Sequence, residues 1–157
     1  MSKGQHTRVR NILLTNAHYC REHLGVLPRT IHIVMPGQRY CRGSHGDAKR
    51  EKHGDFHVVG DQGILVWEEY RQPLTFDMLD KCWDHYHRGR GSQVVVHCAA
   101  GLHRSPTITL ALLSRASLTD PLYILPELLD GMREYPIPAS PHFDVDDLRT
   151  VNEWLHT

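Results

Sequence analysis

Strand and helix signals alternate along this chain. That alternation predicts a single α/β domain, residues 1–157, with a largely parallel central sheet flanked by helices. Three observations carry the prediction. Gln93-Val-Val-Val-His97 is an apolar run without polar alternation, the pattern of a strand buried on both faces. After a short turn, Pro106 to Arg115 reads as a helix, with Ser105 as cap and Pro106 at its first position. Near the start, two apolar runs, Asn11 to Asn16 and Thr30 to Met35, enclose a helical stretch from Ala17 to Leu24. Strand, short helix, strand is the order of a parallel crossover.

The other elements follow in order. Thr15 or Asn16 is placed to cap the first helix, and Pro36-Gly37 closes the strand that follows it. From Gly37 to Gly54 the chain is polar and rich in Gly, Arg, Lys and His, the signature of a long loop. Asp55-Phe-His-Val-Val59 reads as a strand ended by Gly60-Asp61, and Ile64 to Trp67 as a further extended piece. Pro73 opens a helix over Thr75 to His87, with Phe76, Leu79, Trp83 and Tyr86 on one face, and Arg88-Gly-Arg-Gly91 breaks it. Another helix starts at Pro121 or Pro126 and runs to about Tyr135. Pro136 to Pro141 form a stiff turn, and Asp144 to His156 a last helix.

Composition narrows the function classes. Apolar residues make up 40% and charged residues 23%, the balance of a globular protein. Lys plus Arg and Asp plus Glu each number 18, so there is no global basic field to gather nucleic acid. Thirteen His make the net charge drift positive as pH falls through roughly 6.5. Cys20, Cys41, Cys82 and Cys98 form no C-x-x-C pair. The first residues lack the apolar core of a secretion signal, and no apolar run approaches the ~20 residues of a membrane span. The expectation is a cytoplasmic monomer with reduced thiols, no cofactor and no membrane or nucleic-acid partner.

The informative stretch is His97-Cys98-Ala99-Ala100-Gly101-Leu102-His103-Arg104-Ser105-Pro106, between the clearest strand and the clearest helix. Ligands of open α/β sheets bind beyond the carboxyl ends of strands, where this turn falls. The helix directs unpaired N–H groups and its positive end at the turn. Small residues at Ala99, Ala100 and Gly101 let further amides converge on one anion, with Leu102 and His103 completing the loop. Arg104 adds a planar fork for two phosphate oxygens. Such electropositive surroundings favour a thiolate, so Cys98 is expected to be ionised and placed to attack phosphorus. Ser105 has a hydroxyl close to the sulfur and could help it leave. The bland reading is a buried structural Cys and a surface Arg at a chance spacing.

His97-Cys98, five residues, then Arg104-Ser105 resembles the signature of the protein tyrosine and dual-specificity phosphatase superfamily. The resemblance extends more loosely from about Asp55 to the C-terminus, and Pro136 to His142 resembles the turn before the last helix in small members. It implies a phosphocysteine on Cys98, phosphate binding by the loop amides and Arg104, and help from Ser105 in hydrolysing the intermediate. For His97 it implies hydrogen bonds that organise the loop. Rhodanese-like sulfur-transfer domains also place a Cys at a strand end, but their active loop is typically one residue shorter.

The resemblance also implies a general acid, an Asp on a separate upstream loop. Asp61 ends a strand and matches that pattern, but lies 37 residues before Cys98, further than is usual. Glu68 and Glu69 lie 30 and 29 residues before it, closer to the family spacing, although they are Glu. Asp61 is the first choice, with Glu68 and Glu69 as alternatives. His45, Asp47, His53, His57, His85 and His87 match no tight metal-ligand spacing, and none is assigned to a metal. The basic loop Arg39 to Lys52 reads as solvated, Cys82 as core, and a Cys41–Cys98 disulfide as a regulatory option. The expected substrates are phosphotyrosine, phosphoserine or phosphothreonine in proteins, because the loop carries no Lys to match a highly charged inositol phosphate. RNA 5′-phosphates and other small phosphoesters stay open, and so does a phosphate-recognising interaction module without turnover.

Overall fold

The computed structural model describes residues 4–23, 28–37, 52–68 and 72–157. Its elements in order are β1 (His6–Val9), β2 (Ile12–Asn16), α1 (Ala17–His23), β3 (Thr30–Val34), β4 (Phe56–Val59), β5 (Gln62–Val66), α2 (Phe76–His87), β6 (Val94–Cys98), α3 (Arg104–Ser117), α4 (Pro121–Arg133) and α5 (Val145–Leu155). The six strands form one sheet in the order β1-β2-β6-β3-β5-β4. The four central strands β2, β6, β3 and β5 are parallel, and β1 and β4 are antiparallel edges. The predicted crossover from β2 through α1 to β3 is present, with β6 inserted between its two strands.

Side-chain alternation sends β-strand residues to two layers. Ile12, Leu14, Val94, Val96, Cys98, Ile31, Ile33 and Leu65 join the main core with apolar residues of α2 to α5. Val34, Ile64 and Val66 form a separate small cluster. The central strands read as continuous apolar runs because both of their faces are covered. Arg115 on α3 stacks over Trp83 of α2 and Trp154 of α5, 4.9 and 4.7 Å from the ring centroids, so one cation ties three helices.

Several expectations change in detail. β1 was not anticipated; it pairs with β2 through a two-residue turn in which Arg10 has φ 55°. Asn16 rather than Thr15 caps α1, accepting from the Tyr19 amide. α4 starts at Pro121, capped by Asp120, and carries Pro126 inside its first turns. The buried face of α2 is Met78, Leu79, Cys82, His85 and Tyr86, while Phe76 is exposed at the helix start. α3 begins two residues earlier than predicted, so Ser105 lies within its first turn and caps nothing; the cap position is His103, without a side-chain bond.

His85 joins α2 to the lower end of the sheet. Its Nε2–H donates to the carbonyls of Thr30 and Asp61, 3.1 Å each, and its Nδ1 faces the Arg29 guanidinium at 3.4 Å. Burial first, and the Arg29 charge second, hold its pKa below the ordinary 6.5. The neutral ring therefore stabilises the fold above about pH 6.5, and that contribution is lost as pH falls through the lowered value. Thermal melting of the protein is expected to drop between about pH 7.5 and about pH 5. In His85→Gln the drop should be smaller; an equal drop would show that other histidines set it.

Candidate active site

Parallel strands end on one edge of a sheet, and β2, β6, β3 and β5 bring Asn16, Cys98, Val34 and Val66 to that edge together. Cys98 is the last residue of β6 and 3% exposed, and its sulfur lies 3.2 Å from the Ser105 hydroxyl. Arg104, the first residue of α3, is also 3% exposed. Its Nη1 donates to the Trp67 carbonyl, 3.1 Å away, just past the end of β5. Thiol and guanidinium are thus fixed at the two ends of the loop 99–103.

The loop's carbonyls are held away from its centre. Ala99 O accepts from the Ala17 amide at 3.2 Å, and Gly101 O from the Tyr135 hydroxyl at 2.9 Å. Leu102 O accepts from the His142 amide at 2.6 Å, and His103 O from the amide and hydroxyl of Thr107. In a trans peptide the N–H points opposite to the C=O. Carbonyls bonded outward therefore direct the N–H groups of Ala100, Leu102, His103 and Arg104 inward. Inward amides at the start of a 14-residue helix, whose dipole adds to them, have the geometry of a nest that could hold an anion. Gly101 has φ 75°, and a Cβ there would stand 3.0 Å from Thr15 O and 3.1 Å from the Tyr135 hydroxyl.

Braces from distant parts of the chain hold the cradle. Asp147 on α5, 6% exposed, accepts from the Leu74 amide at 3.2 Å and faces His103 Nε2 at 3.6 Å. Tyr135 is buried, and burial first, then the nearby Cys98, pushes its phenol up, so it is a neutral donor to Gly101 O. Beside the cradle lies a cleft of about 390 Å³ lined by Trp67, Pro73, His103, His142, Phe143 and Asp147 among others. Sequence reading missed Tyr135 and Asp147 as site residues.

Asp61 is not brought to this edge. It lies in the turn between the antiparallel pair β4 and β5, and Gln62, the next residue, pairs with Thr30 at the start of β3. Thr30 in turn pairs with Val95. Asp61 therefore stands about four residue levels below Cys98, roughly 13 Å along the strands alone, and its carboxylate binds Arg29 at 3.2 Å. The strand that delivers a residue to the site is β5, and the residues that follow it are Trp67 and Glu68. Glu68, half-buried, is next to the carbonyl that holds Arg104. His53 Nδ1 accepts from the Glu68 amide at 3.0 Å, and its Nε2–H donates to Pro73 O at 2.7 Å, clamping the ends of segment 68–73. Glu69, Cys41, His45, Asp47 and most of the basic loop lie outside the described residues.

His97 Nδ1 lies 3.4 Å from the Cys98 carbonyl, and its Nε2 lies 2.6 Å from His32 Nδ1. Cys20, His32 and His97 together form a buried group with metal-ligand chemistry. The two ring nitrogens that face each other are closer than two ligands of one tetrahedral ion, so hydrogen bonding accounts for the group. Burial pushes the Cys82 thiol far up, which makes it an inert core residue.

No family model matches the sequence, and none of the curated proteins matches it significantly. Solved structures do match in fold. PTPMT1 in complex with PI(5)P is 18% identical, with TM-score 0.62 over 96% of this chain and 94% of that one. DUSP15 is 18% identical, with TM-score 0.63 over 96% and 86%. Human DUSP28 is 17% identical, with TM-score 0.60 over 100% and 98%. The chain therefore has the mixed six-stranded fold of dual-specificity-like phosphatases. No helix among the described residues is long and apolar enough to cross a membrane.

Gly101→Ala tests the cradle. A left-handed conformation costs a side-chain-bearing residue about 1–2 kcal/mol, and the new methyl would press on Thr15 O and Tyr135. The variant is expected to melt lower and to lose at least about tenfold in tungstate affinity by calorimetry. Unchanged affinity would mean the loop amides do not bind the anion.

Proposed function

We propose that this protein is a cysteine-dependent phosphatase that hydrolyses phosphate monoesters through a phosphocysteine on Cys98. The observation that supports it most is the loop whose outward-bonded carbonyls turn four amides inward between a buried thiol and a buried guanidinium. In the first step the Cys98 thiolate attacks phosphorus, the bond from phosphorus to the ester oxygen breaks, and the carboxyl of Glu68 or Glu69 protonates the leaving oxygen. The amides and Arg104 hold the three equatorial oxygens, where charge is spread in the transition state. In the second step water attacks phosphorus and gives its proton to the same carboxylate. The sulfur leaves as thiolate while the Ser105 hydroxyl, 3.2 Å away, donates a hydrogen bond to it.

Phosphotyrosine and phosphoserine or phosphothreonine in proteins are the proposed substrates. The apolar walls of the adjoining cleft, Trp67, Pro73 and Phe143, suit an aromatic ring, and loop 99–103 has no Lys for a highly charged inositol phosphate. A protein working in the cytoplasm as a monomer fits this reading. The absence of an Asp beside Glu68 keeps a second reading in play, that of a phosphate-recognising module.

Steady hydrolysis of an aryl phosphate near pH 6 is expected, and Cys98→Ser should abolish it; tungstate binding without turnover would favour the module. Glu68→Gln should slow hydrolysis of a phosphoserine peptide by about 10²–10⁴-fold and of an activated aryl ester much less. Asp61→Asn should leave both rates within about twofold. If Glu68→Gln is mild and Glu69→Gln severe, the acid is Glu69.

A further inference from the structure

Glu68 follows the end of β5, and a side chain from outside that strand holds its backbone. The antiparallel register of β4 and β5 pairs Phe56 with Leu65. Continued toward the site, the same register sets His53 opposite Glu68. Hydrogen bonds do run on past the strand: the Val66 amide donates to Asp55 O at 2.9 Å, and the Gly54 amide to Val66 O at 2.7 Å. Gly54, with φ 92°, then turns the chain, and half-buried His53 meets Glu68 through its ring.

The two partners of that ring leave one arrangement of its proton. Nδ1 lies 3.0 Å from the Glu68 amide, which only donates. Nε2 lies 2.7 Å from Pro73 O, which only accepts. Nδ1 therefore bears the lone pair and Nε2 the hydrogen. Turning the ring over would put carbon atoms at both places, so the orientation is fixed with the tautomer.

The Glu68 N–H and the Trp67 carbonyl belong to one peptide group. Its carbonyl accepts from Arg104 Nη1 at 3.1 Å, and its N–H donates to His53. The two bonds leave a planar trans peptide in opposite directions, so together they lock its rotation. The Glu68 carbonyl is held as well, accepting from the Gln72 amide at 3.3 Å. The backbone that carries the Glu68 carboxyl is thus tied on one side to the guanidinium at the cradle and on the other to His53. A general acid works only within hydrogen-bond reach of the leaving oxygen, and a displacement of about 1 Å can cost about 10²-fold.

We propose that His53 is a positioning residue for the general acid: its ring, with hydrogen on Nε2, locks the peptide between Trp67 and Glu68 and so sets the Glu68 carboxyl beside the leaving oxygen. This rests on the phosphocysteine reading and selects Glu68 from the two candidate acids.

The test separates placing an acid from holding a fold. In His53→Phe, hydrolysis of a phosphoserine peptide, whose alkoxide needs a proton, should slow at least about tenfold more than that of an activated aryl phosphate. His53→Asn carries an oxygen on its γ-carbon, where the ring carries Nδ1, and can still accept from the Glu68 amide. It should bring the ratio of the two rates back to within about threefold of the wild type. His53→Gln places its amide one bond further out and should stay close to His53→Phe. In a Glu68→Gln background, His53→Phe should move the ratio by no more than about twofold, because the group it positions is already gone. Long-range proton–nitrogen NMR above about pH 7.5 should show the His53 hydrogen on Nε2. Equal slowing of both esters in folded His53→Phe, an undiminished effect in the Glu68→Gln background, or hydrogen on Nδ1 would overturn the proposal. If His53→Phe does not fold, His53→Asn and His53→Gln decide, and equal ratios in the two overturn it. A wild type that hydrolyses neither ester overturns the phosphatase reading itself. This inference alone fails when the wild type turns over both esters and His53→Phe keeps their ratio.

Discussion

The outward bonding of the loop carbonyls is the constraint on which the rest of the site depends. A five-residue turn between a strand and a helix has little intrinsic preference for aiming its amides inward. Here the preference comes from four acceptor bonds: Ala17 to Ala99, Tyr135 to Gly101, His142 to Leu102 and Thr107 to His103. The donors come from the first helix, from the turn after α4 and from α3 itself. The cradle is therefore preorganised by the whole domain, and an oxyanion entering it meets dipoles that need not reorganise. Burial of Cys98 and Arg104 works in the same direction, because charges act more strongly where water is excluded.

The sheet explains why these pieces meet. Four parallel strands end on one edge, so the end of β6 supplies the thiol, the end of β5 supplies the carbonyl that holds Arg104 and the carboxylate next to it, and β2 leads into the helix that anchors Ala99. α5 closes the arrangement through Asp147, which touches both His103 and the Leu74 amide just before α2. Two faces of β6 then do different things. Cys98 faces the helices, while His97 turns to the opposite layer, where His32 and Gln62 complete a polar chain.

What was legible in the sequence was local. The Val run of β6, the small-residue turn and the Pro-started helix α3 lie within about 25 residues of one another, and their local patterns marked the strand–loop–helix unit in which Cys98 and Arg104 lie. Asp61 misled because a strand followed by Asp looks alike whichever way the strand runs; β4 is antiparallel to β5, so its end lies at the far edge of the sheet. β1 escaped because four residues with two polar positions carry too weak a pattern. Tyr135, Asp147, His53 and His32 reach the site through contacts between residues far apart in the chain, and nothing in their immediate neighbours distinguishes them from ordinary surface or core residues.

A crystal structure with tungstate bound tests the central claim most directly. The account places the oxyanion over the Cys98 sulfur, ringed by the amides of Ala100, Leu102, His103 and Arg104 and gripped by the Arg104 guanidinium. Tungstate seated elsewhere, or a loop with its carbonyls turned inward and Arg104 facing away from an empty cradle, would contradict it.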